Sequence, residues 1–327
     1  MIFEFTVHPS FSFVTSFARK LNVRVSKDRL TIPASLGRGY VKSIDIEAGF
    51  KFVLHHYTLK EDLQLRRLAP PEKSDLISII FNSQEVPSHD SADQQSAIQF
   101  LKTNGSAIQI ASSSLGTETL FPAGREVNFG VIGIRSSLLA SLLHMTKPQG
   151  ALATILNSEA DFFFHESMTP DAQRILQQLS AANSPNELDH LYYRIRIQEL
   201  LYGLFSNLLH RDTERHSPIN HTDLNSLYTI RTTMLADLSL PPRLNELAQK
   251  TGMSETKMKQ LFRQVFGDTI YNYYQKVRME EAAFLLKKAG YSVSETGYQL
   301  GFSNLSHFSR LFERHYGLTP KKFTLAG

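Results

Sequence analysis

Two stretches decide the fold. They are Leu244-Asn-Glu-Leu-Ala-Gln-Lys-Thr-Gly252-Met-Ser254-Glu-Thr-Lys-Met258-Lys-Gln-Leu261-Phe262-Arg-Gln-Val-Phe266-Gly267 and Val293-Ser-Glu-Thr-Gly-Tyr-Gln-Leu-Gly301-Phe-Ser303-Asn-Leu-Ser-His-Phe308-Ser-Arg-Leu311-Phe312-Glu-Arg-His-Tyr316-Gly317. In each, a short amphipathic run ends at a Gly. After a Ser, a longer periodic run closes on an aromatic residue and another Gly. The pattern predicts a helix, a tight turn and a second helix, written twice. Gly252 and Gly301 suit the left-handed backbone that ends the first helix, where a Cβ is strained. Ser254 and Ser303 suit N-caps, each hydroxyl accepting from an otherwise unpaired N–H of the following first turn. The copies are not in strict register, because Phe262 follows its turn Gly by ten residues and Phe312 by eleven.

Within the second helix of copy one, Met258, Leu261, Phe262 and Val265 recur at three- and four-residue steps and are expected to face a core. Thr256, Lys259, Gln260 and Arg263 are then left outward. In copy two the buried set is Leu305, Phe308, Leu311 or Phe312, and Tyr316, which leaves Ser306, His307, Arg310 and Arg314 outward. Such faces combine hydrogen-bonding groups with cations, as a helix lying in a major groove requires. Two of them in tandem point to double-stranded DNA as the partner, with these eight residues as candidate readers. Arg310 paired bidentately with a guanine contributes about 1–3 kcal/mol of discrimination. Lys257, Arg278 and Lys288 are candidates for phosphate contact or plain solvation. Leu305 stands out, since it sits where a polar reader is expected.

Between the copies, Ile270 to Lys288 contains neither Gly nor Pro and reads as one helix with an apolar stripe. At 1.5 Å per residue it extends roughly 27 Å, near the roughly 34 Å of one duplex turn. A rigid helix of that length can hold two recognition helices in successive major grooves.

On these residues the last hundred positions resemble the AraC family of bacterial transcription regulators. The resemblance rests on Leu-Ala followed by Gly-Met-Ser, Leu261-Phe262-Arg263, and the Arg278, Ala282, Leu285-Leu286 pattern of the linker helix. It also rests on Gly301-Phe302-Ser303, Phe308-Ser309-Arg310, Phe312 and the closing Gly317-Leu-Thr-Pro320. Gly267-Asp-Thr-Ile-Tyr-Asn-Tyr-Tyr is similar to the branch that includes the regulator of pyochelin uptake, a siderophore-responsive activator. One departure is Thr296-Gly297, where the family carries an aliphatic residue and Ala. Gly inside a helix costs about 1 kcal/mol relative to Ala, so the first helix of copy two is expected to be looser than usual.

Composition fits this reading. The 327 residues suit two or three domains. No apolar run reaches 18 residues, and the N-terminus lacks the pattern of a secretory signal. A cytoplasmic protein is therefore expected, with no membrane contact. The absence of Cys excludes disulfides, thiol redox sensing and cysteine-ligated metal sites. Residues 222–327 carry 14 Lys and Arg against 9 Asp and Glu, while residues 1–221 carry 21 against 22. The basic excess thus coincides with the tandem motif and supports phosphate contacts.

Upstream, short alternating or apolar runs at Tyr40–Glu47, Phe50–Leu59, Leu76–Asn82, Ala107–Ser112 and Val127–Arg135 predict antiparallel strands in an α+β chain. Their pattern defines a β-rich domain over 1–137, and the resemblance implies a cupin-like effector domain. Ser136–Leu143, Ala151–Leu156, Pro170–Ala181 and Glu187–His210 read as helices of a region spanning 138–215, for which the resemblance implies a dimer interface. The polar run Arg211–Asp223 reads as a linker to a DNA-binding domain over 222–327, led by a helix at Leu224–Leu238.

Strand Phe50–Leu59 offers Phe50, Phe52, Leu54 and His56 on one face as candidate effector contacts, with Arg66 and Arg67 to meet an acidic ligand. The aromatic N-terminus, with Phe3, Phe5, Phe11, Phe13 and Phe17, packs on the barrel or forms an effector-responsive arm. His55 and His56 are adjacent in a strand, so they point to opposite faces and cannot share one metal ion. His89, His144 and His165 are scattered. No nucleophile elbow, phosphate loop or dinucleotide fingerprint is present. Neither enzymatic activity nor a cofactor or metal is expected.

The resulting expectation is a sequence-specific regulator, acting as an activator under control of a siderophore, sugar or aromatic acid. RNA polymerase is a further partner. Two alternatives stay open: an effector-independent regulator controlled by a protein partner, and a cupin-type enzyme with a helical appendage.

Overall fold

The computed structural model describes residues 1–8, 11–26, 28–72, 74–83, 106–157, 161–182, 187–211, 217–287 and 289–325. Lys288, His89 and the middle of the expected linker lie outside the described residues. The chain divides into two compact units, Met1–Leu224 and Asn225–Gly327.

The first unit opens with β1 (Ile2–Thr6), α1 (Phe13–Leu21) and β2 (Arg29–Thr31). It continues through β3 (Gly37–Glu47), β4 (Phe50–Leu59), β5 (Leu63–Leu68), β6 (Leu76–Asn82), β7 (Ala107–Ser112), β8 (Thr117–Phe121) and β9 (Glu126–Arg135). After α2 (Ser136–Leu143) and α3 (Gly150–Asn157) come β10 (Phe163–Ser167), α4 (Pro170–Ala181) and α5 (Asp189–Leu208). Seven strands form one antiparallel sheet in the order β10-β7-β6-β9-β4-β3-β2. A second sheet has the order β1-β5-β8, with β1 parallel to β5.

Two cores follow from the period-two alternation of the large sheet. Phe50, Phe52 and Leu54 of β4, Ile77, Ile79 and Phe81 of β6, and Ile132 and Ile134 of β9 pack against Leu139, Ile155, Ile175, Leu176, Leu179, Leu200 and Leu204 of the helices. On the opposite face, Tyr57, Leu59, Val127 and Phe129 meet Phe3, Leu63, Leu65 and Phe121 of the small sheet and Val14 and Phe17 of α1. The middle strands are therefore covered on both sides: helices on one, the small sheet and α1 on the other. The helices of 138–215 share a single core with the sheet, and β10, from a stretch expected to be wholly helical, pairs with β7 as an edge strand.

The second unit is helical. α6 (His221–Leu235) leads into it, followed by α7 (Leu244–Thr251), α8 (Glu255–Phe266), α9 (Ile270–Lys287), α10 (Val293–Gln299), α11 (Leu305–Tyr316) and α12 (Pro320–Leu325). α9 spans about 27 Å and packs on α8, α10, α11 and α12, so both helical pairs are built on one rod.

Candidate nucleic-acid interface and inner cavity

In copy one the turn forms as its residues require. Gly252 has φ +66°, its N–H bonds back to the end of α7, and the Ser254 hydroxyl accepts from the Lys257 N–H to cap α8. Met258, Leu261, Phe262 and Val265 are buried. Phe262 packs on Phe266, with ring centroids 4.5 Å apart, and edge-on against Tyr273 of α9. Thr256, Lys259, Gln260 and Arg263 are all exposed on the other side of α8. Lys259 forms an i,i+4 ion pair with Glu255 at 2.8 Å.

Copy two reaches the same arrangement with a different cap. Gly301 has φ +74°, but α11 begins one residue later than the Ser303 cap predicts. Asn304 caps it, its Oδ1 accepting from the N–H groups of Ser306 and His307 at 2.9 and 3.1 Å. One carboxamide oxygen thereby satisfies two orphan donors, which a hydroxyl at 303 does not reach. Phe308 and Phe312 are fully buried against Met279, Ala282, Leu285 and Leu286 of α9, while Ser306, His307, Arg310 and Arg314 are exposed. Neither Arg310 nor Arg314 has an ion-pair partner among the described residues.

Two oddities of copy two explain one another. A Cβ on Gly297 would stand 2.5 Å from Cδ2 of Leu305. Gly at 297 lets α11 approach α10, and Leu305 fills the space a side chain there would take. The helix is not left loose: a capping box joins Ser292 and Glu295, with bonds of 3.2 and 2.8 Å.

Arg278 is a correction to the phosphate-contact expectation. It is buried on α9, its Nε donating to the Leu300 carbonyl at 2.9 Å, and Nη2 donates to the same oxygen. Its guanidinium lies 3.7 Å from the centroid of the Phe302 ring. Burial lowers its pKa. The residue holds the turn of copy two onto α9 and is not available to DNA. Lys257 remains exposed on α8.

The first unit contains a cavity of about 220 Å³ between its two sheets. The candidate effector residues do not meet there. Phe52 and Leu54 point into the helical core, and Phe52 lies against Gly130, where a Cβ would meet its ring at 2.5 Å. His56 sits beside Glu126 at 3.6 Å, outside the cavity lining. Arg66 bonds Glu4 and Glu118, each at 3.0 Å. The cavity takes the opposite parity, Lys51, Val53 and His55 from β4 and Arg67 from β5. Sequence alternation could not choose between the faces, because β4 carries large apolar residues on both, Phe50, Phe52 and Leu54 on one and Val53, Tyr57 and Leu59 on the other. Phe5, Phe11 and Phe13 of the aromatic N-terminus also line the cavity.

His55 is buried and stacked on Phe129, ring centroids 4.0 Å apart, and burial pushes its pKa down to about 3. Among the described residues no group of three or more His, Asp or Glu is placed to hold a metal ion, and no helix is long and apolar enough to cross a membrane.

A paired helix-turn-helix on a common rod, joined in one chain to a β-rich unit with an inner cavity, defines a two-part regulator of the helix-turn-helix class. Residues 36–221, more than half the chain, match the family described as the regulatory protein PchR N-terminal domain, and residues 247–325 match a helix-turn-helix domain. The chain belongs to this PchR-type branch of the AraC family.

Among curated relatives, the HTH-type transcriptional activator RhaR of Escherichia coli is 29% identical over 153 residues, which are 46% of this chain and 53% of RhaR. The chain spans about half the length of the curated relatives it matches. Among solved structures, an AraC-type regulator from Chromobacterium violaceum is 27% identical, covering 32% of this chain and 95% of that one, with a TM-score of 0.30. The DNA-binding domain of AdpA, solved with a target DNA, is 25% identical over 31% of this chain and 91% of its own, with a TM-score of 0.29.

Proposed function

We propose that this AraC-type regulator is a cytoplasmic, sequence-specific transcriptional activator that reads promoter DNA through the outward faces of α8 and α11 and recruits RNA polymerase. A small molecule held in the cavity of the first unit sets its activity. The observation that carries this reading is the pair of exposed polar faces, Thr256, Lys259, Gln260 and Arg263 on one helix and Ser306, His307, Arg310 and Arg314 on the other, both packed on α9. Pairing of two chains through α5 belongs to the same reading. Leu188 at its N-cap, Ile195 and Tyr202 within it and Leu209 at its C-cap recur every seven residues and are exposed, Tyr202 at 75%, the spacing of a helix seam.

A mobility-shift titration on the DNA upstream of the protein's own gene tests the reading. Specific binding, weakening steeply as salt rises, is expected for an interface with several phosphate contacts. Binding no tighter than to unrelated duplex contradicts it. Sedimentation of the wild type beside Ile195→Glu tests the pairing: a dimer that becomes a monomer supports it, and an unchanged mass removes it.

A further inference from the structure

The side of β5 that faces the large sheet reads Leu63, Leu65, Arg67, two core residues and then a cation. Arg67 is only 7% exposed, and the alternation of the strand aims it at the cavity. Its Nη2 donates to the Leu115 carbonyl at 2.9 Å, whereas its Nε has no hydrogen-bond partner. Among the described residues no carboxylate pairs with it. Burial pushes its pKa down to about 10, so it remains charged at neutral pH. A buried cation without a counter-ion is destabilising, and such a group in a cavity is a candidate functional site.

The strand register places Arg67 in a row. It lies beside Phe5 of β1 on one side and Thr117 of β8 on the other, and all three line the cavity. Phe11 stacks on Phe5 with centroids 5.4 Å apart and the rings 6° from parallel. An aromatic wall, a guanidinium and a hydroxyl thus stand side by side. Arg135 adds a second cation to the lining and Asp75 its single carboxylate, while Lys51 is paired with Asp45 at 3.3 Å. Two further buried atoms of the lining, His55 Nδ1 and Ser113 Oγ, have no hydrogen-bond partner. At about 220 Å³ the space is below the roughly 300–1,000 Å³ of drug-sized sites, which suits an acid of one or two rings.

We propose that the cavity binds a small aromatic carboxylate, its acid group paired with Arg67 and its ring lying against Phe5 and Phe11. This rests on the reading of the first unit as the sensor. It makes charge the entry requirement and excludes neutral sugars. A guanidinium recognises a carboxylate bidentately through its planar fork, and the Arg67 Nε, now without an acceptor, is one donor of that fork. The ligand supplies the missing counter-ion.

The test is calorimetric titration of the full chain with three pairs matched in shape and differing in charge: benzoate and benzamide, 1-naphthoate and 1-naphthamide, biphenyl-4-carboxylate and biphenyl-4-carboxamide. At least one acid is expected to bind at least ten times more tightly than its amide. Arg67→Met is expected to abolish that preference, and Arg67→Lys to retain part of it. Thermal unfolding separates this role from a structural one. Arg67→Met is expected to melt at the same temperature as the wild type or higher, because an uncompensated buried charge is removed. Binding of no acid, equal binding of acid and amide, or a lowered melting temperature for Arg67→Met overturns the inference. A chain that shifts its DNA and ignores every acid loses this inference and keeps the regulator reading. A chain that binds an acid through Arg67 and no DNA does the reverse.

Discussion

In the first helix-turn-helix, Gly252 and Ser254 set the turn and Phe262 wedges against Phe266 and Tyr273. In the second, Asn304 replaces the serine cap, Gly297 admits Leu305, and Arg278 ties the turn to α9 through the Leu300 carbonyl. Both end with four polar side chains exposed on the outer helix. The difference teaches that the outward face is what the two copies have in common, while the internal support is free to change. It also shows that Gly297 and Leu305, which look like weaknesses of copy two when each is read alone, are one packing solution.

Breaking that support should expose the asymmetry. Arg278→Met leaves the Leu300 carbonyl without its donor and the Phe302 ring uncovered, so we expect a loss of about 2–3 kcal/mol in unfolding free energy. Denaturant titration of the chain checks it, and a loss below about 0.5 kcal/mol, the size of an ordinary surface substitution, contradicts the role. The first unit offers a contrast in kind at His55, a buried base held neutral. The His55 pKa is pushed from 6.5 down to about 3. The unfolded chain therefore binds the proton first, and the stability held above pH 6.5 is lost as pH falls toward 3, by up to about 1.4 kcal/mol per pH unit. Thermal melts of wild type and His55→Leu between pH 7 and 5 should diverge by this slope. Parallel curves contradict the neutral, buried histidine.

The caps differ less. Asn304→Ala and Ser254→Ala should each cost about 1 kcal/mol, and Asn304→Ala the more because two N–H groups lose their acceptor. Equal costs would remove the distinction. The smallest effect carries the sharpest sign. Gly297→Ala gains about 1 kcal/mol of helix propensity but crowds Leu305, with overpacking costing about 1–3 kcal/mol. It should destabilise slightly in the wild type and stabilise when Leu305 is also Ala. A stabilised single mutant contradicts the close approach of α10 and α11.

Much of this was legible from periodicity. Pro170–Ala181, Phe50–Leu59, Leu76–Asn82 and Ala107–Ser112 are found as read, because the first carries a helical apolar period and the others are bounded runs rich in Ile, Val or Phe. The small sheet was not legible. β1, β5 and β8 are five or six residues long, and β1 pairs with a strand some sixty positions away, information that no local pattern carries. β10 was missed for the same reason. The cavity face was illegible for another: β4 is covered on both sides, so its alternation of Phe50, Phe52 and Leu54 with Val53, His55 and Tyr57 gives no preference for either. The exposure of the polar faces of α8 and α11 was legible because a helix with one apolar stripe has only one outside.

Both outer faces are proposed to read DNA. The direct measurement is a mobility-shift series on the upstream DNA with Arg263→Ala, Arg310→Ala and single base-pair changes across the site. Each substitution should weaken binding by roughly tenfold, within the 1–3 kcal/mol of a base contact. Each should also relax selectivity at its own position, the two positions lying about one helical turn apart. Loss of affinity from one substitution and none from the other, or loss without any change in base preference, contradicts reading by two faces.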